Sequence, residues 1–332
     1  MRLFLALLLL LLTACALREP PDPALFSMDT SRLPATDLVL EIPGLGPCTD
    51  SPDRRLHLNS REPLKVMVHG CFGSTGEFRA LAQVFAFQGQ QTACFTYDDR
   101  AGLDEVAAEM RQALGLLAKQ SKIADITVIG HSQGALISRR ALSDTPLNTP
   151  LPEGVAKELV TISGPFAGIK AAAPCGIAWL RPISLGLMAA SCHLVTGAKW
   201  ADITYSSRFI REPGGLAPQV SRHLKIDTDE RNTCRRFKDG RCVESDEIFD
   251  LDEQRNKIVD SEARVLRLEM KAGHVEIVGD HTVAPVKLID TLQAQGVLRP
   301  TPSTQTQAFR EMLAQVYSDS SVLKQPLAHK AP

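Results

Sequence analysis

The sequence predicts an α/β fold with a mostly parallel central sheet, helices on both faces and an inserted helical cap. Apolar runs of strand length alternate with longer stretches of helical period between about residues 37 and 295. One such unit, at 126–143, is an apolar strand, a glycine-flanked turn and a helix. The chain has 332 residues and 44% hydrophobic content, so it can bury the large core that this fold needs.

The alternation predicts the strands and helices of one domain. Strands are predicted at Leu38–Ile42, Leu56–Asn59, Leu64–His69, Thr92–Tyr97, Ile126–Gly130, Glu158–Ser163, His223–Ile226 and Arg264–Met270. Helices are predicted at Thr75–Phe87, Leu103–Gln120, Ser132–Ser143 and Val283–Gln295. In the second helix one apolar face can lie on the sheet, formed by Leu103, Val106, Met110, Leu114 and Leu117.

The N-terminus has the pattern of a bacterial export signal. A basic start precedes an apolar run from Leu3 to Leu12 that is too short to span a bilayer stably. Residues 12–15, Leu-Thr-Ala-Cys, resemble the lipobox of bacterial lipoproteins, which implies a signal peptide at 1–14 and lipidation of Cys15. Ala16 favours the outer membrane, facing the periplasm or the surface. An ordinary signal peptide that contains a cysteine is the alternative.

The rest of the chain divides by composition. Residues 15–36 are rich in proline, which predicts a tether, and the folded domain is predicted at 37–299. Within it, residues 167–219 read as the cap and residues 231–245 as a charged disulfide hairpin. Residues 300–332 are predicted to form a short amphipathic helix and a polar tail.

An exported chain can oxidise its cysteines. Cys234 and Cys242 flank an Asp-Gly turn signal, so they are the first predicted disulfide. Cys175 and Cys192 lie in the inserted segment and are the second. The three that remain, at least one of which is expected to keep its thiol, are Cys48, Cys71 and Cys94. None of the spacings is typical of zinc, and no metal or organic cofactor is predicted.

The strongest chemical signal is the turn at 130–134, Gly-His-Ser-Gln-Gly, between an apolar strand and a helix. A sharp turn of this kind exposes a serine hydroxyl to a base, which a serine needs to act as a nucleophile. Gly130 and Gly134 stand where a side chain would crowd the strand and the helix. Ser132 is therefore the predicted nucleophile.

A second signal is the His-Gly pair that ends the strand Leu64–His69. In this position a backbone N–H can face the oxyanion of an acyl-transfer intermediate. We assign that donor to Cys71, with Phe72 as the alternative, and its partner to the amide of Gln133. His69 is interpreted as a core histidine.

The general base is expected after the last strand. His274 follows the strand Arg264–Met270 almost directly and is the predicted base. The rivals are His281 and His223.

The carboxylate that orients this base must lie between nucleophile and base. Asp246 is preferred because apolar residues follow it and because it lies about 28 residues before His274. The alternatives are Asp227 or Asp229, which end the strand before it, and then Asp250 or Asp280.

Together, the His-Gly turn, the 130–134 turn and His274 resemble the α/β-hydrolase superfamily, and within it the bacterial triacylglycerol lipases and related esterases. The resemblance covers about residues 38–295. Residues 163–168 look like the family's Gly-x-Pro-x-x-Gly loop, with Ser163 in place of the first glycine. Residues 245–249 are similar to its Asp-Gly-x-Val acid motif, with Glu247 in place of the glycine. The resemblance implies a movable lid around residues 180–195.

These features predict a serine hydrolase that cleaves carboxylic esters, a lipase or esterase acting on acyl esters, held at a membrane by its lipid anchor. A thioesterase or an envelope-glycan deacylase would keep the same triad, and a non-catalytic envelope lipoprotein that binds a partner is a further alternative. A net charge of −1, evenly spread, gives no reason to expect nucleic acid as a partner. The sequence does not predict the oligomeric state.

Overall fold

The protein is built around a seven-stranded sheet. The computed structural model describes residues 27–71, 73–145, 147, 156–170, 197–280 and 282–324. In these residues the strand order is β2-β5-β4-β6-β7-β8-β11. Only the two-residue strand β2 runs antiparallel to its neighbour, so the prediction of a mostly parallel sheet is confirmed.

The strands closely follow the predicted segments. They are β1 (Leu38–Leu40), β2 (Leu45–Gly46), β3 (Leu56–Leu58), β4 (Leu64–Val68), β5 (Gln91–Phe95), β6 (Ile126–His131), β7 (Glu158–Ile162), β8 (Arg222–Asp229), β9 (Cys234–Lys238), β10 (Arg241–Ser245) and β11 (Val265–Lys271). β1 pairs with β3, outside the main sheet. The sequence did not predict β2, because two residues are too short to show a period.

The helices of the described residues are numbered in chain order. They are α1 (Arg79–Phe87), α2 (Leu103–Ser121), α3 (Gln133–Ala141), α4 (Lys199–Asp202), α5 (Arg208–Arg211), α6 (Leu251–Gln254), α7 (Lys257–Asp260), α8 (Val286–Ala294) and α9 (Thr306–Val316). Short 3₁₀ helices span Thr75–Phe78, Ser303–Gln305 and Ser320–Lys324. The predicted helix at 75–87 thus begins as a 3₁₀ turn.

The sheet separates two apolar cores. Alternate side chains of a strand point to opposite faces, so Val66 and Met67 of β4 belong to different core clusters. Helices α2 and α3 cover one face, and α1, α8 and α9 cover the other. The predicted apolar face of α2 is confirmed, because its five residues are completely buried.

Two disulfides link described residues. Cys234–Cys242 is the predicted pair and joins β9 to β10. The turn between these strands, Asp239-Gly240, has positive φ at both residues, as a tight hairpin requires. We call residues 234–245 the disulfide hairpin. Cys48–Cys94 joins β5 to the loop after β2.

Several predictions fall on residues that the structure does not describe. The signal peptide, Cys15 and most of the tether precede residue 27, and Cys175, Cys192 and the centre of the predicted cap lie within 171–196. The cap, the lid and the domain boundaries therefore stay predictions. In the described part of the chain, no helix has the length and apolar character needed to cross a membrane.

Because β4, β6, β8 and β11 are parallel, their carboxyl ends lie at one edge of the sheet. In open α/β sheets, clefts for ligands form at this edge. The loops that follow these four strands carry the candidate site residues.

Candidate active site

Ser132 occupies a strained turn between β6 and α3. Its φ of 55° and ψ of −123° lie outside the conformations that residues with a side chain usually adopt. Its backbone N–H donates to the carbonyl of Ile162 at 2.9 Å, and Ala135 donates to its carbonyl at 3.0 Å. These bonds hold the turn, and Ser132 lines a cleft.

The two glycines of the turn are required by close packing. A Cβ at Gly134 would lie 2.3 Å from the carbonyl oxygen of Val68, and one at Gly130 would lie 2.4 Å from the carbonyl oxygen of Gly134. Neither position can hold a side chain unless the backbone shifts. The crowding predicted for Gly130 and Gly134 is confirmed.

The loop after β4 lies against the nucleophile. A Cβ at Gly70 would come within 3.1 Å of Cβ of Ser132, so the Gly70 backbone lies close to the serine side chain. The Tyr97 hydroxyl donates to the carbonyl of His69 at 2.8 Å, and the two rings stack at 4.4 Å. His69 is buried, which agrees with its interpretation as a core residue.

Cys71 follows in this loop and lines the cleft with Ser132. The ammonium of Lys199 lies 2.9 Å from its sulfur and 2.9 Å from a carboxylate oxygen of Asp99. Phe72, the alternative oxyanion donor, lies outside the described residues. Gln133 is the first residue of α3, where backbone N–H groups have no partner within the helix.

His274 lies in the loop after β11, in the same cleft as Ser132. Its Nδ1 atom lies 2.8 Å from Oε1 of Glu230, which follows the end of β8. The Phe249 ring stands edge-on to the imidazole at a centroid distance of 4.7 Å. The ring of His274 is thus fixed by a carboxylate and by an apolar contact.

Glu230 is almost completely buried, and both of its carboxylate oxygens accept hydrogen bonds. The Thr228 hydroxyl donates to Oε1 at 3.0 Å. The backbone N–H groups of Ile248 and Phe249 donate to Oε2 at 2.7 and 2.8 Å. These hydrogen bonds offset the cost of burying the Glu230 carboxylate beside the imidazole.

The structure corrects the prediction that Asp246 contacts the base. Its carboxylate accepts the backbone N–H of Val275 at 3.0 Å and that of Glu276 at 2.9 Å, and its own carbonyl accepts the N–H of His274 at 2.9 Å. Asp246 therefore fixes the backbone of the loop that carries His274, while Glu230 contacts the ring. Burial raises the pKa of Asp246 against the opposing effect of these hydrogen bonds.

The other predicted acids point elsewhere. Asp227 is buried against Lys225, 2.5 Å away, and Asp229 pairs with Arg231 at 2.8 Å. Asp250 caps helix α6, and Asp280 accepts backbone N–H groups of Thr282 and Val283. Each of the four carboxylates is thus engaged away from the imidazole.

Of the two rival histidines, only His223 lies in the described part of the chain. His223 is completely buried in β8, where its Nε2 lies 2.8 Å from the Thr161 hydroxyl. His281 is outside the described residues.

His131 is a site residue that sequence reasoning missed, although it stands inside the predicted turn. Its Nε2 lies 2.9 Å from the carbonyl oxygen of His274, so Nε2 carries the proton that is donated. Burial lowers the pKa of His131 far below its usual value, with a further contribution from His274. The neutral ring therefore anchors the His274 backbone from the nucleophile's side.

The cleft has a volume of about 630 Å³ and a strongly charged wall. Besides Ser132 and His274, its lining includes the charged residues Asp50, Glu77, Arg79, Arg235 and Asp280. Burial raises the pKa of Glu77, and nearby Asp50 adds to that shift. A cleft of this size can admit a substrate with a polar part.

A family model matches part of the chain. Residues 59–197 match the family described as "Putative serine esterase (DUF676)". The matched range contains the 130–134 turn and the loop after β4 but ends before Glu230 and His274. No curated protein sequence is significantly similar to the chain.

Several solved structures are similar to this one. The mature lipase BlEst2 of Bacillus licheniformis has a TM-score of 0.50 at 15% identity, over 79% of this chain and 98% of its own. Esterase B of Lactobacillus rhamnosis has a TM-score of 0.47 at 13% identity, over 86% and 91%. The Pyrococcus furiosus esterase PF2001 has a TM-score of 0.44 at 17% identity, over 73% and 83%.

The first of these likenesses establishes the fold, in agreement with the sheet described above. The chain therefore has the α/β-hydrolase fold, and the match of residues 59–197 to a serine esterase family indicates a carboxylic ester hydrolase.

Proposed function

We propose that this chain hydrolyses carboxylic esters through a covalent acyl-enzyme, with Ser132 as nucleophile, His274 as base and Glu230 as the orienting acid. The observation that carries the proposal is the 2.8 Å contact between His274 Nδ1 and Glu230 Oε1, in the cleft that Ser132 lines. A carboxylate on Nδ1 leaves Nε2 as the atom that takes the proton of the serine.

In the first step, Oγ of Ser132 attacks the ester carbonyl and Nε2 of His274 takes its proton. Glu230 stabilises the imidazolium that forms, because its buried carboxylate lies 2.8 Å from Nδ1 of that ring. The protonated His274 then donates the proton to the leaving alcohol as the tetrahedral intermediate collapses. Water, deprotonated by the same His274, hydrolyses the acyl-enzyme and restores Ser132.

The backbone amides of Cys71 and Gln133 are our proposed oxyanion donors. Two features support them: Gln133 begins α3, so its N–H is at the positive end of the helix, and the Cys71 loop is in close contact with Ser132. The Tyr97 hydroxyl, bound to the carbonyl of His69, holds this loop in place.

Esters of hydrophobic acids are the substrate class that we propose first, on the resemblance to lipases. The first test is hydrolysis of p-nitrophenyl esters from acetyl to palmitoyl, with the Ser132→Ala protein as control. Turnover that depends on Ser132 and increases with chain length would support a lipase. Absence of turnover together with absence of fluorophosphonate labelling at Ser132 would refute the serine mechanism and favour a non-catalytic lipoprotein.

The charged wall of the cleft favours a second candidate, a deacylase of envelope glycans. Asp50, Glu77 and Arg79 can hydrogen-bond to the hydroxyl groups of a sugar, which an apolar cleft would not do. Faster release of acetate from acetylated glycans than from p-nitrophenyl acetate would select it. Preference for acyl thioesters over both would select a thioesterase instead.

We also propose that the chain is a lipoprotein of the bacterial envelope, anchored through Cys15. The support is the Leu-Thr-Ala-Cys pattern at residues 12–15. Mass spectrometry of the mature N-terminus tests it: diacylglycerol on Cys15 is expected, and an unmodified Cys15 in the processed chain would refute it.

A further inference from the structure

We propose that the disulfide hairpin docks the protein on a lipid surface that carries anionic headgroups. Strands β9 and β10 pair with each other and with no other described strand. Residues 235–243 are exposed throughout, on both faces of this small sheet. The hairpin is therefore presented to solvent, and its disulfide keeps it folded without a core beneath it.

The hairpin region exposes large apolar side chains. Phe237 is 66% exposed, Val243 is 50% exposed, and Ile248, just beyond the hairpin, is 54% exposed. Phe237 lies opposite Cys242 in the strand register, so the two side chains lie on the same face of the hairpin. Three exposed large apolar side chains within twelve residues of sequence indicate a surface that covers them.

The same element is rich in cations. Four of them, accompanied by two carboxylates, lie within twelve residues: Arg235, Arg236, Lys238 and Arg241, with Asp239 and Glu244. Lys238 and Arg241 face each other across the strands beside the turn, and neither forms an ion pair with a carboxylate of the described residues. Like charges placed opposite each other destabilise a hairpin, so an anionic partner would reduce the repulsion between these two cations.

Cations beside exposed aromatic and aliphatic side chains match the boundary between headgroups and acyl chains of an anionic bilayer. A second copy of the hairpin is a poor partner because it carries the same positive charge. We therefore assign the surface to anionic lipid.

The hairpin lies beside the cleft that contains Ser132 and His274. Arg235 lines the cleft beside Ser132, and its Nε lies 3.4 Å from Oδ2 of Asp280, in the loop that follows His274. A membrane bound to the hairpin would lie next to the mouth of the cleft. The docking itself does not require the proposed hydrolysis.

The experiment places a fluorescent probe on the hairpin of the full chain. Phe237→Trp is mixed with vesicles of phosphatidylglycerol and brominated phosphatidylcholine, in which bromine quenches indole emission only from within the acyl region. The matched control is Leu266→Trp. Leu266 is 41% exposed but stands near the amino end of β11, at the sheet edge opposite the cleft. Subtraction of the wild-type signal removes the emission of native tryptophans.

We expect the emission added by Phe237→Trp to fall about twofold or more on anionic vesicles, and the emission added by Leu266→Trp to stay unchanged. Adding Lys238→Glu and Arg241→Glu should abolish most of this quenching, since each cation near an anionic surface strengthens binding by roughly fivefold. Turnover of a soluble ester by this double variant should equal that of the wild type, which shows that the fold is intact.

Three outcomes would overturn the proposal. Equal quenching at positions 237 and 266, or none at 237, would show that the hairpin does not enter the bilayer. Equal quenching at 237 on zwitterionic and anionic vesicles would remove the anionic preference. A concentration-dependent blue shift of the Phe237→Trp indole without vesicles would assign the hairpin to a contact between copies of this chain.

Discussion

Nδ1 of His274 lies 2.8 Å from Oε1 of Glu230, a residue 44 positions earlier in the chain. The two residues follow adjacent parallel strands, β11 and β8, so the sheet brings them together despite this separation. Asp246 lies closer in sequence, yet its side chain accepts backbone N–H groups of Val275 and Glu276. One carboxylate thus orients the ring and another fixes the loop.

The separate contacts of Glu230 and Asp246 predict different kinetics for two conservative variants. Glu230→Gln should lower kcat on a p-nitrophenyl ester by about 10³-fold to 10⁴-fold, because the imidazolium loses its buried counter-charge. Asp246→Asn should lower kcat much less, since an amide oxygen can still accept one of the N–H groups. Steady-state kinetics of both variants at one pH decides the assignment. A larger loss for Asp246→Asn than for Glu230→Gln would return the acid role to Asp246.

The strained backbone of Ser132 predicts that activity is maintained at the expense of stability. Ser132→Gly should abolish turnover and raise the free energy of unfolding by about 1 kcal/mol, because glycine tolerates a φ of 55°. Ser132→Ala, the matched control, should abolish turnover without this gain. Urea unfolding of the three proteins measures the difference. Equal stability of the glycine and alanine variants would show that the turn stores no strain.

Buried neutral histidines predict acid sensitivity. The pKa values of His131 and His223 are both held far below normal by burial. The unfolded chain binds protons at these residues below about pH 6.5 whereas the folded chain does not, so stability should fall as the pH decreases from 7 to 5. Each residue contributes up to about 1.4 kcal/mol per pH unit. His223→Gln should flatten the dependence of unfolding free energy on pH, and His57→Gln, at an exposed position of β3, should leave it unchanged. An equal slope in all three proteins would contradict the prediction.

The two described disulfides should differ in their contribution to stability. Cys48 and Cys94 are 46 residues apart and buried, whereas Cys234 and Cys242 close a loop with a separation of eight in an exposed hairpin. Loop-closure entropy gives about 4 kcal/mol for the first and at most about 2.6 kcal/mol for the second. Thermal unfolding of Cys48→Ala/Cys94→Ala and of Cys234→Ala/Cys242→Ala tests the order. A larger loss of Tm in the hairpin variant would reverse it.

Local patterns were sufficient to predict most of the fold. The predicted strand at Leu64–His69 became β4, and the predicted helix at Leu103–Gln120 became α2, each within one residue at its ends. Both have a clear apolar period, which depends only on the residues of the segment itself. The short strand β2 was missed because its pairing with β5, rather than its sequence, defines it.

The candidate site was harder to predict from the sequence than the fold. Ser132 stands in a motif that can be read locally, and His274 follows a strand that was predicted within a residue of its observed position. Glu230 follows Asp229 at the end of β8, and a run of carboxylates at the end of a parallel strand was the one signal that could have indicated it. His131 was inside the turn, but its contact with the His274 backbone could not be read from the sequence.

The α/β architecture, the turn that holds Ser132 and the Cys234–Cys242 hairpin were predictable from the sequence, because each produces a pattern among residues close in the chain. The carboxylate that faces His274 was not predictable in this way. That choice depends on the side-chain directions at the ends of β8 and β11 and on the backbone donors around each carboxylate. These are long-range relationships, and spacing along the chain does not record them.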